Sequence, residues 1–259
     1  ATTQGDVRRN RLSDFTNVRS NGKIAMKLPE GVELVNARIC SEDDDVMLTT
    51  NSGRAIRFAS NDLRVMNSRA STGVRGIRLN GDDMVVSMSV IRHFEATPEE
   101  RAAYLKMRRA LAGVTDEEAV EDDVPADPNF SQERYEEMAA VENLILTITR
   151  GGSGKLSSSH DYPVRGRGGM GVAAMDKAMR GGPVVASFPV ELVDQIMLVT
   201  STGQSIRCPI DGISFRSRNA GGVRVFNTSS DEKVVSVAYI PDPGDDEDMP
   251  KESTSEIES

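Results

Sequence analysis

The sequence has few of the residues that build metal, disulfide or catalytic sites. Its two cysteines among 259 residues cannot form a disulfide framework or a four-ligand zinc site, and its two histidines further limit acid–base chemistry. Tryptophan is absent and aromatic residues make up 4% of the chain, which argues against a platform that stacks nucleic-acid bases. No apolar run approaches the roughly 18 residues of a membrane-spanning helix, and the first residues do not resemble a signal peptide. We therefore expect a cytoplasmic protein with no membrane contact.

The net charge of −9 is concentrated in two acidic segments. Residues 92–142 carry 14 acidic and 6 basic side chains, and residues 241–259 carry 8 and 1, so the rest of the chain is mildly basic. Within the first segment, apolar spacing predicts a helix from Pro98 and a second from Ser131, joined by an acidic linker. The second segment has almost nothing to bury and is predicted to be a disordered tail.

Outside these segments the sequence repeats four times with a period of about 49 residues once 92–142 is set aside. Each copy has a glycine in a short phrase, a second glycine, and then an apolar pair. The first glycines are Gly5, Gly53, Gly154 and Gly203, the second are Gly22, Gly73, Gly171 and Gly222, and the pairs begin at Leu34, Val85, Val184 and Val234. Repeats of this length that are rich in β-branched residues predict propeller-like blades, each a small antiparallel sheet.

The second copy shows how one blade is built. Val46–Thr50 is predicted as a strand, Asn51–Gly53 as a tight hairpin, and Arg54–Phe58 as the returning strand. A longer loop leads to a third strand over Val74–Leu79, and Met84–Ile91 supplies the fourth. The chain then divides into residues 1–91 (a partial and a complete blade), the acidic insertion 92–142, two further blades in 143–240, and the tail 241–259.

Three segments closely resemble the C-terminal domain of the DNA gyrase A subunit, namely Asn21–Lys27, Thr72–Arg78 and Asp194–Thr200. The resemblance covers 1–91 and 143–240 in register. It implies an all-β fold, the β-pinwheel, in which propeller-like four-stranded blades exchange strands. The mainly helical acidic insertion predicted above belongs to none of the repeats and departs from the family pattern. It also implies sequence-independent DNA wrapping around a basic rim, which gives strand passage by the parent enzyme its negative-supercoiling direction.

The resemblance further implies a fragment that lacks the first blades. The first copy has no first strand, and the family's signature box, Gln-Arg-Arg-Gly-Gly-Lys-Gly, would precede Ala1. Arg165–Gly171 occupies the equivalent loop of a later blade and matches the box at Arg167, Gly168, Gly169 and Gly171. The implied partners are double-stranded DNA, the gyrase B subunit, and the N-terminal part of the gyrase A protein, in an A2B2 assembly. The fragment itself would be non-catalytic and hold no cofactor, while ATP and Mg²⁺ act on other domains of the parent type II topoisomerase.

Repeated basic residues give the DNA hypothesis a physical basis of its own. Arg54 and Lys155 are assigned to one repeat position, Arg57 and Arg207 to another, and Arg75 and Arg224 to a third. A curved row of cations can neutralise the phosphates of a bent duplex without reading its bases. The predicted DNA-binding residues are Arg54, Arg57, Arg69, Arg75, Arg78, Lys155, Arg165, Arg167, Arg207, Arg216, Arg218 and Arg224.

Two other functions remain open at this point. The arginines of a propeller-like scaffold could bind an acidic protein partner, and an enzyme would need a nucleophile–base pair or metal set that the sequence does not offer. Asp43–Asp45 is interpreted as a solvated turn rather than a divalent-ion site, and His93 and His160 as surface or packing residues. The acidic insertion is expected to turn away from the DNA path.

Overall fold

The computed structural model describes residues 1–16, 18, 20, 22–67, 71–114, 124–176, 181–227 and 231–242. Within them the regular structure is mainly β. In chain order the strands are β1 (Asp6–Val7), β2 (Asp44–Thr50), β3 (Arg54–Ala59), β4 (Val74–Arg75), β5 (Val85–Arg92), β6 (Leu144–Thr149), β7 (Ser153–Ser158), β8 (Val172–Ala173), β9 (Val184–Val190), β10 (Gln195–Thr200), β11 (Ser205–Pro209), β12 (Val223–Arg224) and β13 (Val234–Ile240). The α-helices are α1 (Pro98–Leu111) and α2 (Gln132–Ala140), and neither is long and apolar enough to cross a membrane.

The strands form antiparallel sheets that correspond to the sequence repeats. Blade I pairs β1 with β4, blade II has the order β5-β2-β3-β8, blade III has β12-β7-β6-β9, and blade IV has β11-β10-β13. The short third strand of each repeat therefore leaves its own hairpin and pairs with the blade before it. The last strands β5, β9 and β13 contact one another in turn, which sets blades II, III and IV side by side. Strand exchange, expected from the family resemblance, is present at β4, β8 and β12.

The hairpin turn of every repeat has the same four-residue motif, a threonine followed three residues later by a glycine. The glycine N–H donates to the threonine carbonyl in each copy, and each glycine has positive φ; the pairs are Thr2–Gly5, Thr50–Gly53, Thr149–Gly152 and Thr200–Gly203. The third hairpin glycine is thus Gly152, and the sequence-based choice of Gly154 was wrong by two residues. As a consequence, Lys155 lies at the repeat position of Ile56 rather than that of Arg54.

The second glycine of each later repeat lies where the exchanged strand crosses the preceding blade. A Cβ on Gly73 would lie 2.5 Å from the Val7 carbonyl oxygen, and one on Gly222 would lie 2.9 Å from the Gly154 nitrogen. Gly171 is equally close to the Ala55 carbonyl. Only glycine lets the two backbones approach this closely, which explains why this landmark recurs in the sequence.

Apolar side chains join each blade to the next. Met47 and Ile91 of blade II pack against Ile145 and Tyr162 of blade III, and all four are almost completely buried. A larger cluster continues from Leu146 of blade III into blade IV. Burial of this kind is the main stabilising contribution in a fold whose individual blades are small.

The insertion between β5 and β6 folds as a helical hairpin. The Thr97 side chain accepts from Glu100 N–H while the Glu100 carboxylate accepts from Thr97 N–H, so α1 begins with a capping box. The two helices enclose a small core in which Tyr104 and Tyr135 stack with ring centroids 4.9 Å apart. Both predicted helices are therefore present. The acidic linker between them falls mostly in 115–123, which lies outside the described residues, as does the tail from residue 243.

Candidate nucleic-acid interface

The predicted basic residues fall into three groups by exposure. The exposed residues are Arg75, Arg78, Arg165, Arg167, Arg207 and Arg224. Arg54 and Arg216 are half-buried, and Arg57, Lys155 and Arg218 are buried. Arg69 lies outside the described residues. Exposure alone therefore divides a set that sequence reasoning treated as uniform.

Two loops that precede the exchanged strands carry several of these residues in equivalent places. In loop 164–169, Arg165 N–H donates to the Arg57 carbonyl at 2.8 Å; in loop 215–220, Arg216 N–H donates to the Leu156 carbonyl at the same distance. Parallel bridges between Arg57 and Val164 and between Leu156 and Phe215 fix the two loops in the same register. The repeat thus pairs each residue of loop 164–169 with the residue 51 positions later.

Four arginines from two repeats come together at loop 164–169. The Arg167 guanidinium donates to the Arg75 carbonyl at 3.1 Å and to the Asp62 carbonyl at 3.2 Å, and Arg78 N–H donates to the Gly169 carbonyl at 2.8 Å. We call Arg75, Arg78, Arg165 and Arg167, which are all exposed, the arginine cluster. Neighbouring like charges repel, so a polyanion laid across them would be favoured electrostatically.

Arg57, predicted to contact DNA, instead has its side chain committed to the protein interior. Its Nε lies 2.7 Å from the Asp45 carboxylate, and its other nitrogens donate to the carbonyls of Ser159 at 2.8 Å and Arg92 at 3.0 Å. Burial lowers the pKa of Arg57, and the adjacent Asp45 opposes that shift. The residue joins blade II to the turn that follows β7, and its burial keeps the guanidinium away from a phosphate.

Lys155, also predicted to contact DNA, is buried because of its register. At the position of Ile56 its chain enters the core, and its Nζ donates to the carbonyls of Ser217, Arg218 and Ala220 at 2.5–2.7 Å. Burial lowers the pKa of Lys155 to about 7. Its role is to hold the backbone of loop 215–220.

Arg218 is the third predicted DNA-binding residue that lies buried. This residue makes the same contacts as its equivalent Arg167, donating to the carbonyls of Asp161 at 2.8 Å and Ala173 at 3.0 Å. It is 6% exposed, however, and its Nε lies 3.5 Å from the Asp161 carboxylate. Burial raises the pKa of Asp161, and the hydrogen bond and charge of Arg218 oppose the shift.

Three further predicted residues lie apart from the arginine cluster or are held by backbone. Arg54 donates to the carbonyls of Met170 at 2.8 Å and Gly171 at 2.6 Å, which ties β3 to the exchanged strand. Arg207 is exposed although its equivalent Arg57 is buried, because within the described residues no blade packs outside β11. Arg224 on β12 is exposed and donates to Asn227 at 3.3 Å.

The other candidate residues of the sequence serve the fold. Asp45 is completely buried between Arg57 and His93, so its assignment to a solvated turn was wrong, whereas Asp43 is exposed. His160 is buried against Tyr104 and contacts the Met138 carbonyl through Nε2 at 2.9 Å, a packing role as predicted. Both cysteines are free thiols.

Two contacts were missed by sequence reasoning. Arg8 donates to the Ser71 carbonyl at 2.7 Å, the repeat equivalent of the contact from Lys155 to Ala220. An alignment of the repeats would have paired Arg8 with Lys155 only if Gly152 had been taken as the third hairpin glycine. The second is Arg108 of α1, whose guanidinium lies 4.6 Å from the centroid of the Phe215 ring in loop 215–220. No sequence signal indicates where an insertion will dock.

Comparison with known proteins gives a consistent result. The profile of the family described as DNA gyrase C-terminal domain, beta-propeller, matches residues 1–41, 44–92, 143–189 and 194–241. The chain is 47% identical over 268 residues to the DNA gyrase A protein of Granulibacter bethesdensis, which covers 96% of this chain and 28% of that protein. It is 41% identical over 259 residues to the Rickettsia bellii protein of the same name, covering 99% and 28% respectively. The chain therefore spans 28% of the length of these relatives.

Solved structures match the architecture. A structure of the DNA gyrase A C-terminal domain superposes with a TM-score of 0.65 at 22% identity, covering 93% of this chain and 64% of that chain. The C-terminal domain of DNA topoisomerase IV superposes with a TM-score of 0.68 at 16% identity, covering 93% and 60%. At these identities the likeness concerns the fold, and the predicted β-pinwheel architecture is confirmed.

Proposed function

This chain belongs to the DNA gyrase C-terminal domain, beta-propeller family, and we propose that it binds double-stranded DNA without base preference and wraps it along its exposed arginines. The arginine cluster carries this proposal. It gathers four cations from two repeats on one surface, next to a glycine-containing loop over which a phosphate backbone can pass closely.

The proposal extends to a protein of the full length of these relatives, in which a domain like this chain is one part. There the wrapped duplex would be presented to the gyrase B subunit and to the N-terminal part of the gyrase A protein, in an A2B2 assembly, so that strand passage introduces negative supercoils. The domain would take no part in the chemistry, and ATP and Mg²⁺ would act on other domains. A cytoplasmic location with no membrane contact belongs to the same proposal.

The first test measures affinity for a short duplex over a series of salt concentrations. The logarithm of the DNA-binding constant falls linearly with the logarithm of the salt concentration, and each phosphate contact adds about 0.9 to the steepness of that fall. Arg165→Gln and Arg78→Gln are therefore each expected to reduce the steepness by about 1. Arg38→Gln, which removes an exposed arginine outside the predicted set, is the matched control and should leave the slope unchanged. Equal slopes in all four proteins would overturn the proposal.

The second test separates wrapping from binding of an acidic partner. Nicked plasmid ligated in the presence of the chain should show a changed linking number, because a wrapped path stores writhe. A scaffold that merely recognises acidic surfaces would show salt-dependent binding and leave the linking number at its value without protein.

A further inference from the structure

Loops 164–169 and 215–220 have the same backbone contacts but differ in exposure. Arg165 is exposed and its equivalent Arg216 is half-buried; Gly166 is exposed and its equivalent Ser217 is 7% exposed. Arg167 is exposed and its equivalent Arg218 is 6% exposed, although both make the same pair of carbonyl contacts. Loop 215–220 is therefore the more buried of two loops that have equivalent backbone contacts.

The helical insertion contacts loop 215–220. The Arg108 guanidinium of α1 stacks on Phe215 and is held in place by the Glu142 carboxylate, 3.0 Å from its Nε. Tyr104 packs edge-on against His160. The next residue, Asp161, accepts a hydrogen bond from Arg218 through its carbonyl. Phe215 is half-buried under these contacts.

The same positions are open at the other loop. Val164, the equivalent of Phe215, is 40% exposed, and Asn61, the equivalent of His160, is also exposed. The insertion thus contacts Phe215 and His160, whereas nothing comparable covers their exposed equivalents Val164 and Asn61 in the described part of the chain.

The two loops also differ in the charge of the residues around them, and loop 164–169 is the more basic. The equivalents of Arg75 and Arg78 are Ala173 and Asp176, whose N–H donates to the Ala220 carbonyl at 3.3 Å. The second loop thus has two arginines and a carboxylate where the first has four arginines. Within the insertion, the Glu142 carboxylate pairs with Arg108, the residue that stacks on this loop.

We propose that the helical insertion covers loop 215–220 and withdraws its arginines from DNA, so that of these two equivalent loops only loop 164–169 receives the duplex. This inference rests on the proposed DNA-binding function. It also reverses the sequence-based expectation that the insertion turns away from the DNA path, because the helices pack on a loop that the repeat pattern assigned to that path.

A cycle of substitutions with and without the insertion tests the proposal. Arg92 N–H donates to the Asn143 side chain at 3.2 Å, so the two ends of the insertion are adjacent. Residues 94–142 can therefore be replaced by a four-residue linker, the length that separates β9 from β10. Arg165→Gln and Arg216→Gln are introduced into both backgrounds, and the salt slope of duplex binding is measured for each protein.

In the full chain, Arg165→Gln is expected to lower the salt slope by about 1 while Arg216→Gln leaves it unchanged. In the shortened chain the starting affinity should rise, and both substitutions should then lower the slope by about 1. If Arg216→Gln weakens binding in the full chain as much as Arg165→Gln, the inference is overturned and DNA binding stands. If neither the full nor the shortened chain binds DNA, the result contradicts the proposed DNA-binding function itself.

Chemical modification keeps the test independent of whether the shortened chain folds. Arginine-specific modification of the intact protein, read by mass spectrometry, should be suppressed by duplex DNA at Arg165 and remain the same at Arg216. Suppression of equal size at both residues would contradict the proposal without any deletion.

Discussion

At the scale of single residues, buried charges distinguish the arginines of the fold from those available to a ligand. Asp45 is completely buried and accepts from Arg57 and His93. Asp45→Asn leaves the Arg57 guanidinium buried without its counter-charge, and removing one partner of such a pair costs about 3 kcal/mol or more. Urea unfolding should show this loss, while Asp43→Asn, at an exposed neighbour, should change stability by less than about 0.5 kcal/mol. Equal effects would contradict the buried role.

Lys155 predicts a pH dependence of stability with a definite sign. Its pKa is lowered to about 7 in the folded protein, against an ordinary value of 10.5, so between these values the unfolded chain holds a proton that the folded chain has released. Stability contributed by this residue therefore rises with pH across that window. Relative to Lys155→Met, the wild type should gain on the order of 3–4 kcal/mol between pH 7 and pH 10. Lys106→Met removes an exposed lysine as the control, and a constant difference between wild type and Lys155→Met would refute the shift.

At the scale of elements, the exchanged strands depend on glycine at one position of each repeat. Gly171 has φ +68°, and a Cβ there would collide with the Ala55 carbonyl of the preceding blade. Gly171→Ala should therefore lower stability by about 2 kcal/mol or more and reduce hydrogen-exchange protection along β3 and β8. Gly166→Ala in the same loop is the matched control, because no atom lies within 4 Å of its Cβ position. A similar loss in both variants would show that the close approach is unimportant.

Sequence reasoning identified the repeated hairpins but misplaced one of them. The stretch Gly151–Gly154 contains three glycines, and only the hydrogen bond from Gly152 to Thr149 identifies the turn. A shift of two residues keeps every side chain on the same face of a strand, so the alternation of apolar residues could not reveal the error. The third strands were predicted as far as Leu79, yet pairing ends at Arg75, because they join the edge of another blade only briefly.

The candidate site was harder to predict than the fold. Apart from Lys155, repeat phase assigns the equivalent backbone positions correctly, but exposure depends on neighbours that the repeat does not contain. Arg57 and Arg207 share a repeat position, and one is buried by blade III while the other lies on β11 at a sheet edge. The docking of α1 on Phe215 changes exposure in the same way and has no counterpart in the other repeats.

At the scale of the whole molecule, one acidic segment interrupts a mildly basic set of blades and packs on a basic loop, and a second acidic segment follows the last blade. Residues 241–259 form this second segment, with 8 acidic and 1 basic side chains, and from residue 243 they lie outside the described part of the chain, so the following prediction rests on their sequence. A tethered acidic segment has a high effective concentration near exposed arginines such as Arg207 and Arg224 and can compete with phosphates for them. Truncation after Ile240 should therefore tighten duplex binding at low salt, and the difference from the full chain should close as salt rises. A tail of equal length with its Asp and Glu changed to Asn and Gln is the matched control and should behave like the truncation, because competition depends on charge. If the full, truncated and neutral-tail chains bind equally across the salt series, the tail is only a solubilising appendage.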